Sequence, residues 1–233
     1  MPQENVPTST ATAQGAPTTA STGSAPSLLG RLGFSGCAAL VVLVLVALVV
    51  PLALRSEGST DFPRVAPEDM ADRAFQRSQE AYDVLGFTRS VKPGFEEIGV
   101  STENTFGSGL CYDGGPLGME DKTVDGAYSA NHSWALDHVP ADRAQSGLRR
   151  LHQHLKDDGW TVSSYREGVK GKDWDLFVQR DDGDERMSFT WYADREYFTG
   201  GASVPCAYDP AWKTGDAAPS ADAQWPPTLR PSR

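Results

Sequence analysis

The sequence predicts an α+β protein in which a single transmembrane helix is followed by a small antiparallel sheet with helices packed on one face. Three observations lead there. Residues 32–54 carry no charge. Two later stretches repeat apolar residues at helical spacing, and the segments beyond Trp160 alternate apolar and polar side chains as strands do.

The first 30 residues are dominated by Ser, Thr, Ala, Pro and Gly. Such a polar tail buries too little apolar surface to offset its ordering entropy, so it is expected to be disordered. From Gly36 to Leu54 the run GCAALVVLVLVALVVPLAL is apolar throughout. The uncharged 23 residues 32–54 would span ~34 Å as a helix, enough for a ~30 Å hydrocarbon core. A transmembrane helix is therefore expected over 32–55, with the lipid bilayer as its partner through 32–54. A cleaved signal peptide is the alternative, although its apolar region is usually shorter. A lipoprotein reading starts from Cys37, but lipid-modified cysteines follow a hydrophobic run and this one opens it.

After a linker over 56–67 with Pro63 and Pro67, residues 68–86 place Ala71, Phe75, Ser78, Tyr82 and Leu85 on one helical face, with Gly86 at the end. The Gly-rich stretch from Thr88 to Lys122 reads as loops around one or two short strands. Tyr128, Ala130, His132, Trp134 and Leu136 alternate along a strand. A second helix follows, with Pro140 near its start and an apolar stripe of Ala144, Leu148, Leu151 and Leu155, and Gly159 stops it. Three strands are expected at Trp160–Arg166, Asp173–Arg180 and Glu185–Ala193, the last two joined by the turn Asp181-Asp182-Gly183-Asp184. Parity puts Trp160, Val162, Trp174, Leu176, Val178, Met187, Phe189 and Trp191 on a core face. The opposite face carries Thr161, Ser163, Tyr165, Asp175, Phe177, Gln179, Ser188, Thr190 and Tyr192. The globular domain is expected over 68–207, and 208–233 as a disordered Pro-rich tail.

The region from Trp134 to Cys206, with a Leu-rich helix closing in Leu155-Lys156-Asp157-Asp158-Gly159-Trp160, a hairpin and then Val204-Pro205-Cys206, resembles the small α+β ectodomains and lipoproteins that actinobacteria export. The resemblance implies an exported, disulfide-bonded module and supplies no catalytic residues. Anchoring by a transmembrane helix instead of a lipid is a departure from it. A GC-rich codon bias agrees, with 15 Arg against 6 Lys and Ile98 as the single isoleucine.

Cys111 and Cys206 are the two cysteines outside the hydrophobic run. They suit a disulfide in an oxidising space, which would place the C-terminal domain outside the cell membrane and the N-terminus in the cytoplasm. Two unpaired thiols in a cytosolic domain are the alternative. The formal charge of −10 disfavours nucleic acid as a partner. Neither a metal nor a cofactor is expected: His152 and His154 lie about 200° apart around a helix, His132 and His138 are distant along one strand, and Asp181–Glu185 lacks the ligand pattern of a calcium loop. Nucleophile elbows, phosphate loops and dinucleotide fingerprints are absent from the sequence.

The candidate binding residues are Tyr165, Phe177 and Tyr192, aromatics among Thr, Ser and Gln on the second sheet face, suited to a protein or glycan partner in the cell envelope. If the segment from Thr88 to Lys122 folds over them, they are ordinary core. The expected function is a membrane-tethered, extracytoplasmic binding or interaction domain without catalysis. A cell-envelope hydrolase with an unrecognised site, and a structural companion of a membrane complex, are the alternatives.

Overall fold

Two amphipathic helices lie on one face of an antiparallel sheet in the computed structural model, which describes residues 61–113, 122–168 and 172–231. Helix α1 spans Pro67–Leu85. Proline in its first turn, with Glu68 and Asp69 beside it, suits the positive end of the helix. Gly86, at φ 70°, takes the left-handed conformation that closes it and donates its N–H to Tyr82 O. Helix α2 spans Ala141–Asp157 and buries Ala144, Leu148, Leu151 and Leu155, the predicted stripe. Where the helices touch, the residue is Gly147, because a Cβ there would stand 2.9 Å from Leu85 O. Arg150 of α2 donates to that same carbonyl at 2.6 Å, partnering the open C-terminal end of α1.

The strands are β1 (Gly94–Phe95), β2 (Glu103–Asp113), β3 (Lys122–Leu136), β4 (Thr161–Arg166), β5 (Trp174–Arg180), β6 (Glu185–Tyr192), β7 (Tyr197–Ser203) and β8 (Ala207–Tyr208). They form one eight-stranded sheet in the order β1-β2-β3-β7-β6-β5-β4, with β8 pairing β3. Each half repeats one plan: a helix, a glycine followed by a buried aromatic and a threonine (Gly86-Phe87-Thr88; Gly159-Trp160-Thr161), then an antiparallel meander. The last strands of the two meanders, β3 and β7, pair at the centre.

Between sheet and helices lies the main core. Trp134 stacks on Phe198 at 5.6 Å and meets Tyr82 edge-on at 5.1 Å. The predicted core residues Trp174, Leu176, Val178, Met187, Phe189 and Trp191 are all buried beside them. The bond between Cys111 and Cys206 is formed, with Cα atoms 6.0 Å apart, and ties β2 to the segment after β7.

The fold class needs correction. Among the described residues no helix is long and apolar enough to cross a membrane, since α1 and α2 both carry several charged side chains. The uncharged run and the helix expected over 32–55 lie outside the described residues. The sheet is not small, because the supposed loops after Thr88 supply an 11-residue β2 and the unassigned segment Tyr197–Ser203 is a central strand. The tail also differs from expectation. Beyond Cys206, Ala221 and Leu229 are fully buried, and Leu229 exchanges two backbone hydrogen bonds of 3.0 Å with Val91. An apolar side chain followed a Pro-rich stretch into the core, which composition does not reveal.

Candidate functional site: the open sheet face

Opposite the helices, the cross-strand register sets out polar rows. One runs Gln179, Arg186, Ser203, Asn131 and Gly107 across β5, β6, β7, β3 and β2. The next runs Phe177, Ser188, Gly201, Ser133 and Thr105. Glycine keeps this surface low: a Cβ at Gly107 would come within 2.7 Å of Asn131 Oδ1. Between the two rows is a groove of about 290 Å³, lined by Asn131, Ser133, Phe177, Gln179, Arg186, Ser188 and Ser203. Arg186 Nε donates to Gly183 O in the β5–β6 turn, which anchors the guanidinium.

Phe177 is 39% exposed at this groove. Burying it against a ligand would be favourable, whereas leaving a ring in water is not. The described residues of the segment after Thr88 do not cover it, because β2 lies within the sheet beside β3 instead of over the face.

The other two candidate aromatics are elsewhere. In β4 the register shifts between Val162 and Ser164, so that Val162 opposes Val178 while Ser164 opposes Phe177. A bulge of one residue inverts parity beyond it. Tyr165 therefore opposes Leu176 and turns to the helix side, where its ring stacks on His152 of α2 at 4.0 Å. Its hydroxyl donates to Glu167 at 2.9 Å, and burial, reinforced by that carboxylate, pushes the phenol upward. Arg166 and Ser164 instead meet on Asp175, at 2.6 and 3.2 Å. Tyr192 stays on the open face but four residues beyond Ser188 along β6, ~13 Å away at ~3.3 Å per residue. There it faces Tyr197 at 6.4 Å, with the Arg195 guanidinium 4.7 Å above its ring. Phe177 alone of the three belongs to the groove.

Asn131, Ser133, Arg186 and Ser203 were missed as site residues. For Asn131 and Ser133 a signal existed, since both alternate with His132 and Trp134. Ser203 had none, because the sequence reading assigns no element to Tyr197–Ser203.

Directly behind the groove, His132 is fully buried. Its Nε2 lies 2.7 Å from Asn104 Oδ1. Asn104 uses its amide to donate to Val91 O and Pro227 O, both at 2.9 Å, so Oδ1 accepts and Nε2 carries the proton. Among the described residues Nδ1 has no partner, and burial pushes the imidazole pKa down to about 3. The ring sits between Phe75 and Phe106 at 5.2 and 5.4 Å, where a charge would be unsolvated. Among the described residues no group of three or more His, Cys, Asp or Glu is placed to hold a metal ion.

No protein-family model, curated protein or solved structure matches the chain.

Proposed function

We propose that this domain is a binding module working in an oxidising space outside the cytoplasm, and that its ligand is a cell-envelope glycan held on the open sheet face over Phe177. The observation that carries this reading is the pairing of one exposed aromatic ring with a groove of hydroxyl, amide and guanidinium groups. A sugar ring has the complementary make-up: an apolar C–H face that covers an aromatic plate, and a rim of hydroxyls that both donate and accept. Ser133, Ser188 and Ser203 donate or accept as required, while Asn131 and Gln179 offer both functions at fixed geometry. The Cys111–Cys206 bond supports the location, since disulfides persist where the surroundings are oxidising.

The test is an NMR titration of the full chain with soluble fragments of bacterial cell-wall polysaccharide. Shift changes are expected at Phe177, Ser188 and Asn131, with Phe177→Ala weakening binding at least tenfold and Tyr192→Phe leaving it unchanged. Binding that ignores Phe177→Ala, or the absence of binding, would overturn the reading.

A further inference from the structure

A second cavity, of about 170 Å³, opens on the helix side at the far end of β3, where that strand hands over to α2. Its floor is apolar, formed by Phe87, Leu136 and Val139, all buried. Its mouth is ringed by Arg89, His138 and Arg143, and no carboxylate lines it.

Arg89 and His138 are placed by the backbone and by one acid. Asp137 accepts from Arg89 at 2.5 Å and lies 2.8 Å from His138 Nδ1, while Arg89 also donates to the Asp137 carbonyl at 2.8 Å. His138 holds φ 51°, a left-handed conformation unusual for a residue with a side chain. Arg143, exposed in the first turn of α2, makes no ion pair among the described residues. One carboxylate thus serves Arg89 and His138, and Arg143 is left unmatched. The first turn of α2 has no side-chain cap, and Asp142 within it sets a carboxylate against the positive end of the helix, next in sequence to Arg143.

We infer that this cavity binds a small organic carboxylate, whose apolar part rests on Phe87, Leu136 and Val139 and whose carboxylate lies between Arg89 and Arg143. Each half of the ligand answers one part of the site. The apolar part fills the hollow over Phe87, Leu136 and Val139, and the carboxylate replaces water on the exposed guanidinium of Arg143. The volume is well below the ~300–1,000 Å³ of pockets for drug-sized ligands, so the ligand is of fragment size. A charge-assisted pairing with a guanidinium is the strong kind of hydrogen bond and supplies the orientation. This site is independent of the glycan face, and either reading stands without the other.

Titration of the full chain with benzoate, followed by NMR, tests the inference, with benzyl alcohol and inorganic phosphate as comparison probes. Benzoate is expected to move the resonances of Val139 and Leu136 and to bind at least tenfold more tightly than either comparison. Arg143→Ala is expected to weaken benzoate at least tenfold with an unchanged thermal midpoint, since that side chain holds no ion pair among the described residues. Equal binding of benzyl alcohol would reduce the site to an apolar hollow, and equal binding of phosphate to a general anion site; either result overturns the inference. So would benzoate binding that Arg143→Ala leaves intact, or no binding at all.

Discussion

Gly200 of β7 lies directly opposite Trp134 of β3, and so close to its indole that any Cβ at position 200 would overlap the ring. The tryptophan occupies the space a side chain would have taken and stacks on Phe198 two residues away. A glycine usually weakens a strand interior. Here its absence of a side chain is what lets the largest core residue lie flat against the central pair of strands. Gly200→Ala is expected to destabilise the domain by about 1 to 3 kcal/mol, the usual cost of forcing extra volume into a filled core. Urea unfolding followed by tryptophan fluorescence reads this, and a midpoint equal to the wild type would show that the indole moves aside freely.

The disulfide closes a span of 95 residues. In the chain-entropy model, removing such a cross-link costs roughly 4 to 5 kcal/mol by freeing the unfolded chain. The double variant Cys111→Ala with Cys206→Ala is therefore expected to unfold at a clearly lower temperature, and adding reductant to the wild type should reproduce the shift. If neither changes the midpoint, the bond contributes nothing to the fold.

His132 makes stability depend on pH in a defined direction. Its folded pKa, about 3 because of burial, lies below the ~6.5 of a free histidine. Between those values the unfolded chain takes up a proton that the folded state refuses, so stability is complete above ~6.5 and falls as pH drops toward 3, by up to ~1.4 kcal/mol per pH unit. From about pH 7 to about pH 5 the wild type should lose roughly 2 kcal/mol from this group. His132→Gln, which keeps a donor for Asn104 Oδ1, should show a flatter profile over that range. Parallel profiles for the two proteins would assign the pH dependence to other groups.

How far the sequence was legible follows from which forces are local. The stripe Ala144, Leu148, Leu151, Leu155 and the terminator Gly86 could be read directly, because helical spacing and left-handed capping involve only neighbours along the chain. The apolar parity of Trp174 to Trp191 was legible for the same reason. Tyr165 was misplaced because parity assumes an unbroken ladder, and one bulged residue near Ser163 sends it to the other face. Leu229 was hidden among prolines, where composition points to disorder and only its pairing with Val91 reveals a buried strand-like contact.

By itself, then, the sequence determined two amphipathic helices on one side of an antiparallel sheet, the core face of β5 and β6, and two cysteines suited to pairing. Tertiary structure alone decided that Gly200 and Gly201 lie in a central strand, that Cys111 reaches Cys206, and that Phe177 stands at a polar groove without Tyr165 or Tyr192. The division has one physical cause. Periodicity records what a residue requires of the few positions before and after it, whereas β7, the bulge and the groove are set by side chains that meet across strands distant in the chain.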